Sequence, residues 1–160
     1  AGHTACHLAS LALDAALAGS WTKPAPVDAL GNPAFDSLAI QRPRITPLGA
    51  TDTYRIGKSL RRKGFSPDGL EDLAAVAEAV NARLAGWLDG GGAVRIERTD
   101  SALSARRTWV CELGDGRTDI PCGGTHSRDL AEIASITCSL TRNQVDGGIE
   151  VVMTTAVTPA

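Results

Sequence analysis

The chain has 160 residues, 43% apolar and 21% charged, the balance of a folded globular protein with one core rather than a disordered or fibrous chain. Its formal net charge of −2 gives no global basic field, so any contact with nucleic acid would need a local patch. No run of eighteen apolar residues occurs, which excludes a membrane-spanning helix.

Residues 3–17 are predicted helical, because Leu8, Leu11, Ala12, Ala15 and Ala16 recur at helical spacing and Gly19 is a plausible stop. Residues 21–36 carry Pro24, Pro26 and Pro33 among turn residues and read as a long loop, with room for a short turn of helix. A strand is expected at 38–45, interrupted at Pro43. A better one is expected at 51–59, where Thr53, Arg55 and Gly57 alternate with Tyr54, Ile56 and Lys58. The strongest helix is 66–88. Ser66 is its candidate N-cap and Pro67 its first residue, with Asp68, Glu71 and Asp72 in the first turns. Leu70, Leu73, Val76, Val80, Leu84 and Leu88 form its buried stripe, and the glycines at 90–92 end it. Strands follow at 93–98, 107–113, 117–121, 133–140 and 148–157, with a short helical turn near 129–134. Strands and helices do not alternate strictly, so the expected class is α+β: a curled, mostly antiparallel sheet packed on two main helices, with residues 1–160 as a single domain.

Every histidine lies in one of two motifs, His3 and His7 in HTACH and His126 in PCGGTH. At i and i+4 on a helix, two imidazoles project from one face with Cβ atoms about 5–6 Å apart. Cys122 and His126 flank Gly123 and Gly124, which permit φ > 0 and a tight loop. Three imidazoles and one thiolate are a donor set that suits Zn²⁺. Taken alone, the bland readings are two exposed polar residues at a helix start and a buried thiol. Neither accounts for the Gly-Gly turn between Cys122 and His126. Cys6, Cys111 and Cys138 read as reduced thiols, Cys6 packing beneath its helix rather than ligating, and reduced thiols fit a cytoplasmic protein. The apolar N-terminal segment lacks a basic leader, which argues against a signal peptide. With no methionine at position 1, a removed initiator or a trimmed N-terminus is expected.

HTACHLASLAL, DIPCGGTH and the strand VVMTTAV at 151–157 together resemble the editing domain of alanyl-tRNA synthetases. They resemble especially the free-standing AlaX-type trans-editing proteins and, more distantly, the threonyl-tRNA synthetase editing domain. The resemblance implies a zinc-dependent aminoacyl-tRNA deacylase for proofreading, with His3, His7, Cys122 and His126 as metal ligands and catalytic centre. Thr4, Gly123, Gly124 and Thr125 would line the substrate pocket, and the acceptor end of a mischarged tRNA would be the partner. Ser- or Gly-charged alanine tRNA is the first expectation for substrate. A threonyl-type or non-proteinogenic aminoacyl group is the alternative. Ser127 departs from the family, which usually has an apolar residue there.

Lys58, Arg61, Arg62 and Lys63 form a local basic cluster and are the candidate phosphate contacts, with Arg42, Arg44, Arg106 and Arg107 as weaker ones. With all three histidines committed as ligands, no imidazole remains as a general base, and Asp119 reads as a solvated surface carboxylate. Two readings of other classes compete with the deacylase: a tRNA- or synthetase-binding module around a structural zinc, and a metal-dependent hydrolase acting on a small ester without tRNA.

Overall fold

The structure is a computed structural model and describes residues 1–102 and 104–160. Helix α1 (Gly2–Ala16) is buried on nearly all sides, with Ala5, Leu8, Ala9 and Ala12 at 0% exposure. A helix apolar all round belongs in the centre of a core, and the alanines let neighbouring elements approach closely. A 3₁₀ turn (Ala18–Ser20) leads into the expected loop, which ends in the short helix α2 (Phe35–Ala39).

Strands β1 (Ile40–Thr46) and β2 (Gly49–Ile56) pair antiparallel. Pro43 does not interrupt β1, because β1 is an edge strand, where one missing N–H costs no ladder bond. The strand expected over 51–59 ends at Ile56; Lys58 and Ser59, predicted as its last residues, instead open helix α3 (Lys58–Arg62), and no element is predicted for the rest of that helix. The helix expected over 66–88 is two pieces, a 3₁₀ turn (Pro67–Leu70) and helix α4 (Leu73–Gly90). The break falls at Asp72, whose carboxylate accepts the Ala75 N–H at 3.0 Å and caps α4; such a side chain competes with continuing the helix. α4 buries Val76, Val80, Leu84 and Trp87, with Trp87 taking the place predicted for the half-buried Leu88.

The class is α+β with antiparallel pairing throughout, but the strands form two sheets rather than one. Strands β3 (Val94–Arg98), β4 (Arg107–Leu113) and β5 (Gly116–Pro121) make a three-stranded sheet. Strands β6 (Ile133–Val145) and β7 (Gly148–Pro159) join β2 and β1 in the order β1-β2-β7-β6. The split has a local cause. After β5 the chain leaves the sheet at Cys122 and runs through a loop and a 3₁₀ turn (Leu130–Glu132) before β6 begins, so β6 pairs with β7 across the two-residue turn Asp146-Gly147. α1 packs on β2 and β7, and α4 covers α1 and β6. One continuous apolar core joins α1, α4 and both sheets. No described helix is long and apolar enough to cross a membrane.

Candidate metal centre

The start of α1 is pinned to the β1–β2 turn. The Gly2 N–H donates to the Pro47 carbonyl at 2.8 Å, and a Cβ at Gly2 would lie 2.0 Å from the Thr46 carbonyl oxygen. Only glycine allows this approach, and it fixes where His3 and His7 stand. Nothing in the sequence marks Gly2; its role is a contact between segments more than forty residues apart.

Cys122 arrives on the end of β5, its N–H donating to the Arg107 carbonyl at 3.0 Å. The donor atoms of His3, His7, Cys122 and His126 all lie within 4.8 Å of one another. Cys122 Sγ is 3.3 Å from His3 Nε2 and 3.4 Å from His126 Nε2. Bonds of about 2.0 and 2.3 Å at a tetrahedral angle place nitrogen and sulfur about 3.5 Å apart, so these separations are those of ligands around one ion. His7 Nε2 is buried without a hydrogen-bond partner, and a metal ion held there would be that partner. The four residues therefore form a group that could hold a metal ion.

Electrostatics prepare the imidazoles for this. Burial, then the neighbouring imidazoles His3 and His126, pushes His7 down to about 3. Burial, then His3 and the chain N-terminus, pushes His126 down to about 4. Burial also lowers His3, helped by the N-terminal charge. All three are neutral at pH 7, with lone pairs free for a cation. Trp109 of β4, fully buried, forms an apolar wall 4.9 Å from the His7 ring and 5.7 Å from that of His126. This wall, too, was not legible as part of the site.

The predicted pocket residues divide. Thr4 has no exposed surface and does not line a pocket. Its Oγ1 sits 3.2 Å from His126 Nδ1 and accepts the Ser127 N–H at 3.1 Å. An Nδ1–H donated to Thr4 leaves Nε2 for the ion, so Thr4 orients a ligand. Ser127 is itself buried. Gly123 and Gly124 are not among the glycines with positive φ, so loop torsion is not why glycine stands there. A Cβ on Gly124 would lie 2.1 Å from His3 Cε1, whereas one on Gly123 would meet nothing closer than Arg107 Cδ at 3.8 Å. Gly124 makes room for the His3 ring. Thr125 lines a cavity of about 390 Å³ with His3, Thr46 and Pro47. A second cavity, of about 340 Å³, opens beside His7 and is lined by Ser10, Asp14, Asp36 and Asp119 among others.

Cys6 stays outside the cluster, its Sγ 3.7 Å from Asp52 Oδ2 in the core. Asp119 is exposed and tied to Arg117 at 2.9 Å. Lys58, Arg61, Arg62 and Lys63 are exposed on and just after α3, but not beside the metal centre. They follow the far end of β2, seven residues from Gly49, or about 23 Å along the strand. No protein-family model matches this chain, and no curated protein matches it either.

Proposed function

We propose that the chain is a zinc-dependent aminoacyl-tRNA deacylase that hydrolyses the ester of a mischarged tRNA, with Ser- or Gly-charged alanine tRNA as the first candidates. The observation that carries the reading is the convergence of HTACH and PCGGTH, from opposite ends of the chain, on one group of three imidazoles and one thiol. The donor set favours zinc among the common ions. Bound there, zinc would polarise an ester carbonyl or lower the pKa of a water toward about 7.

The chain's own residues supply the rest. The Thr4 hydroxyl beside His126 Nδ1 would, with Nδ1 protonated, leave Nε2 for the ion, and Trp109 keeps one side of the cluster dry. Thr125, at the exposed edge, is the hydroxyl placed to meet a substrate; Thr4 is too deep for that. Discrimination of serine from alanine requires a polar group left unpaired by the wrong substrate, and Thr125 is the residue to test for it.

A second reading has its own support. Four protein ligands fill a tetrahedral ion, as in structural sites, which would make the chain a tRNA- or synthetase-binding module. Metal-loaded protein and a Cys122→Ala control, incubated with Ser-, Gly-, Ala- and Thr-charged tRNA, separate the two. Selective release of one amino acid, lost in the control, is the expected result. No release from any species with metal still bound would transfer the case to the binding module.

A further inference from the structure

The described arginines fall into two populations. Every ion pair among the described residues draws its arginine from Arg83, Arg95 or Arg117, against carboxylates on or beside the three-stranded sheet. Arg42, Arg44 and Arg55, together on β1 and β2, make none, and neither do Arg61, Arg62, Arg98, Arg106, Arg107, Arg128 and Arg142 elsewhere among the described residues. Arg55 stands opposite Glu150 of β7 without pairing to it, and its guanidinium bonds the Asp146 carbonyl instead. The other nearby carboxylate on these strands, Asp52, points into the core.

These three form a line. Arg44 pairs in register with Thr51 and Arg42 with Thr53, and Thr51 and Thr53 alternate with the buried Ala50, Asp52 and Tyr54. The arginines therefore share the sheet's outer face with two hydroxyls. Arg42 and Arg44 are two residues apart, about 6.6 Å. Thr46, the next residue on that face, lines the cavity beside His3. In the other direction, a groove of about 500 Å³ lined by Arg42, Arg44, Thr51 and Thr53 shares Gln41 with one of about 450 Å³ lined by Arg55 and Lys58. These two grooves run from Arg44 to the basic helix α3, and Thr46, at the separate cavity beside His3, lies two residues beyond Arg44. At the Thr46 end stand Ile45 and Leu48, two of the three exposed large apolar residues among those described.

Like charges this close repel unless something anionic lies across them. A ladder of unpaired guanidiniums interleaved with hydroxyls suits phosphates, with arginine as the bidentate donor. From Thr46 to the level of Ile40 is about 20 Å. We propose that β1 is the track for a single nucleic-acid strand, its phosphates on Arg44, Arg42 and Arg55 and its 3′ end delivered past Ile45 to the metal centre. The proposal rests on the deacylase reading for its choice of a 3′ end; the track itself rests on the charge pattern.

The test is equilibrium binding of an uncharged RNA hairpin with a single-stranded 3′ tail, measured between about 50 and 200 mM salt. The metal-loaded wild type is compared with Arg42→Gln/Arg44→Gln and with Arg95→Gln/Arg117→Gln on the opposite sheet. The first pair is expected to weaken binding roughly tenfold and to flatten the salt slope by about 1.4, two single-strand phosphate contacts at about 0.7 each. The second pair should change neither. All four side chains are exposed, so thermal melts should confirm that both variants fold. Equal slopes in wild type and Arg42→Gln/Arg44→Gln, equal losses in the two double variants, or equally tight binding of polyglutamate would each overturn the track. If RNA binds as expected but no charged tRNA is hydrolysed, the deacylase reading fails and the track stands. If hydrolysis proceeds and Arg42→Gln/Arg44→Gln is as fast and as salt-sensitive as wild type, the track fails and the deacylase stands.

Discussion

The two halves of the metal centre are built differently. His3 and His7 stand on α1, whose Ala5, Leu8 and Ala9 are wholly enclosed and whose first residue is locked against Pro47. Cys122 and His126 ride on a loop whose Gly123 and Thr125 are exposed. That loop is held by few bonds: Cys122 N–H to Arg107, Gly124 N–H to Cys122 Sγ, Thr4 to His126 and Ser127, and at its end Arg128 to Val94 and Glu132. Burial of a helix is worth many contacts at once, whereas each net hydrogen bond contributes about 0.5–1.5 kcal/mol. One half is preorganised by the core; the other would gain order from an ion bridging the two.

Removing the metal is the strongest way to break that comparison. After chelation, amides of residues 122–128 are expected to lose hydrogen-exchange protection while α1 keeps its own, because metal binding and local order are coupled only where the core does not already supply order. Loss of protection across α1 and α4 together would show the halves to be one cooperative unit. It would also favour a structural role for the ion.

A smaller effect, confined to one atom, separates neighbouring glycines of the loop half. Gly124→Ala puts a methyl where the His3 ring stands, so either the loop or the ring must move. Metal affinity should fall about 10- to 100-fold, the usual scale when ligand orientation is disturbed. Gly123→Ala, whose Cβ meets only ordinary contact, should bind metal as wild type does. Similar affinities in a zinc titration of both variants would refute the steric account of Gly124.

The same contrast explains how much was readable beforehand. The ligands were legible because helical spacing fixes His3 against His7 and a short loop fixes Cys122 against His126. β3, β4 and β5 fall within one residue of the bounds expected from the β-rich pattern of the sequence. β6 runs five residues past its predicted end because Thr141–Gln144 are exposed and carry no apolar pattern; the pairing with β7 alone defines them. The resemblance implies Thr4 as a pocket residue, and nothing in the sequence reveals that its hydroxyl turns toward His126 instead. Two sheets instead of one, the break at Asp72 and the need for glycine at positions 2 and 124 all arise from contacts between distant segments.

The core half carries a feature that the loop half lacks, and it gives the smallest effect. Asp14, on α1 and 3% exposed, is pushed up to about 8, first by burial and further by the Asp36 and Asp28 carboxylates; the Asp36 N–H at 2.7 Å opposes the rise. The sign follows from proton counting. Between the ordinary value of 3.8 and about 8, the folded state holds a proton that the unfolded chain has lost. Stability from this group is therefore fully present below the lower value and is lost as pH rises through the upper one. The histidines act the other way. Their lowered values cost stability only below 6.5, and the Asp52 carboxyl, raised to about 6 chiefly by burial, has largely finished its change by then. From pH 6.5 to 8 Asp14 is left as the main contributor. One proton corresponds to about 1.4 kcal/mol per pH unit, or a Tm lower by about 3–5 °C per unit at this chain length. Asp14→Asn keeps an oxygen for the Asp36 N–H and removes the titration, so its melting curve should be flat over that window while the wild type's falls. Parallel curves would mean that Asp14 is ionised in the folded protein, and that α1 tolerates a buried charge in its last turn.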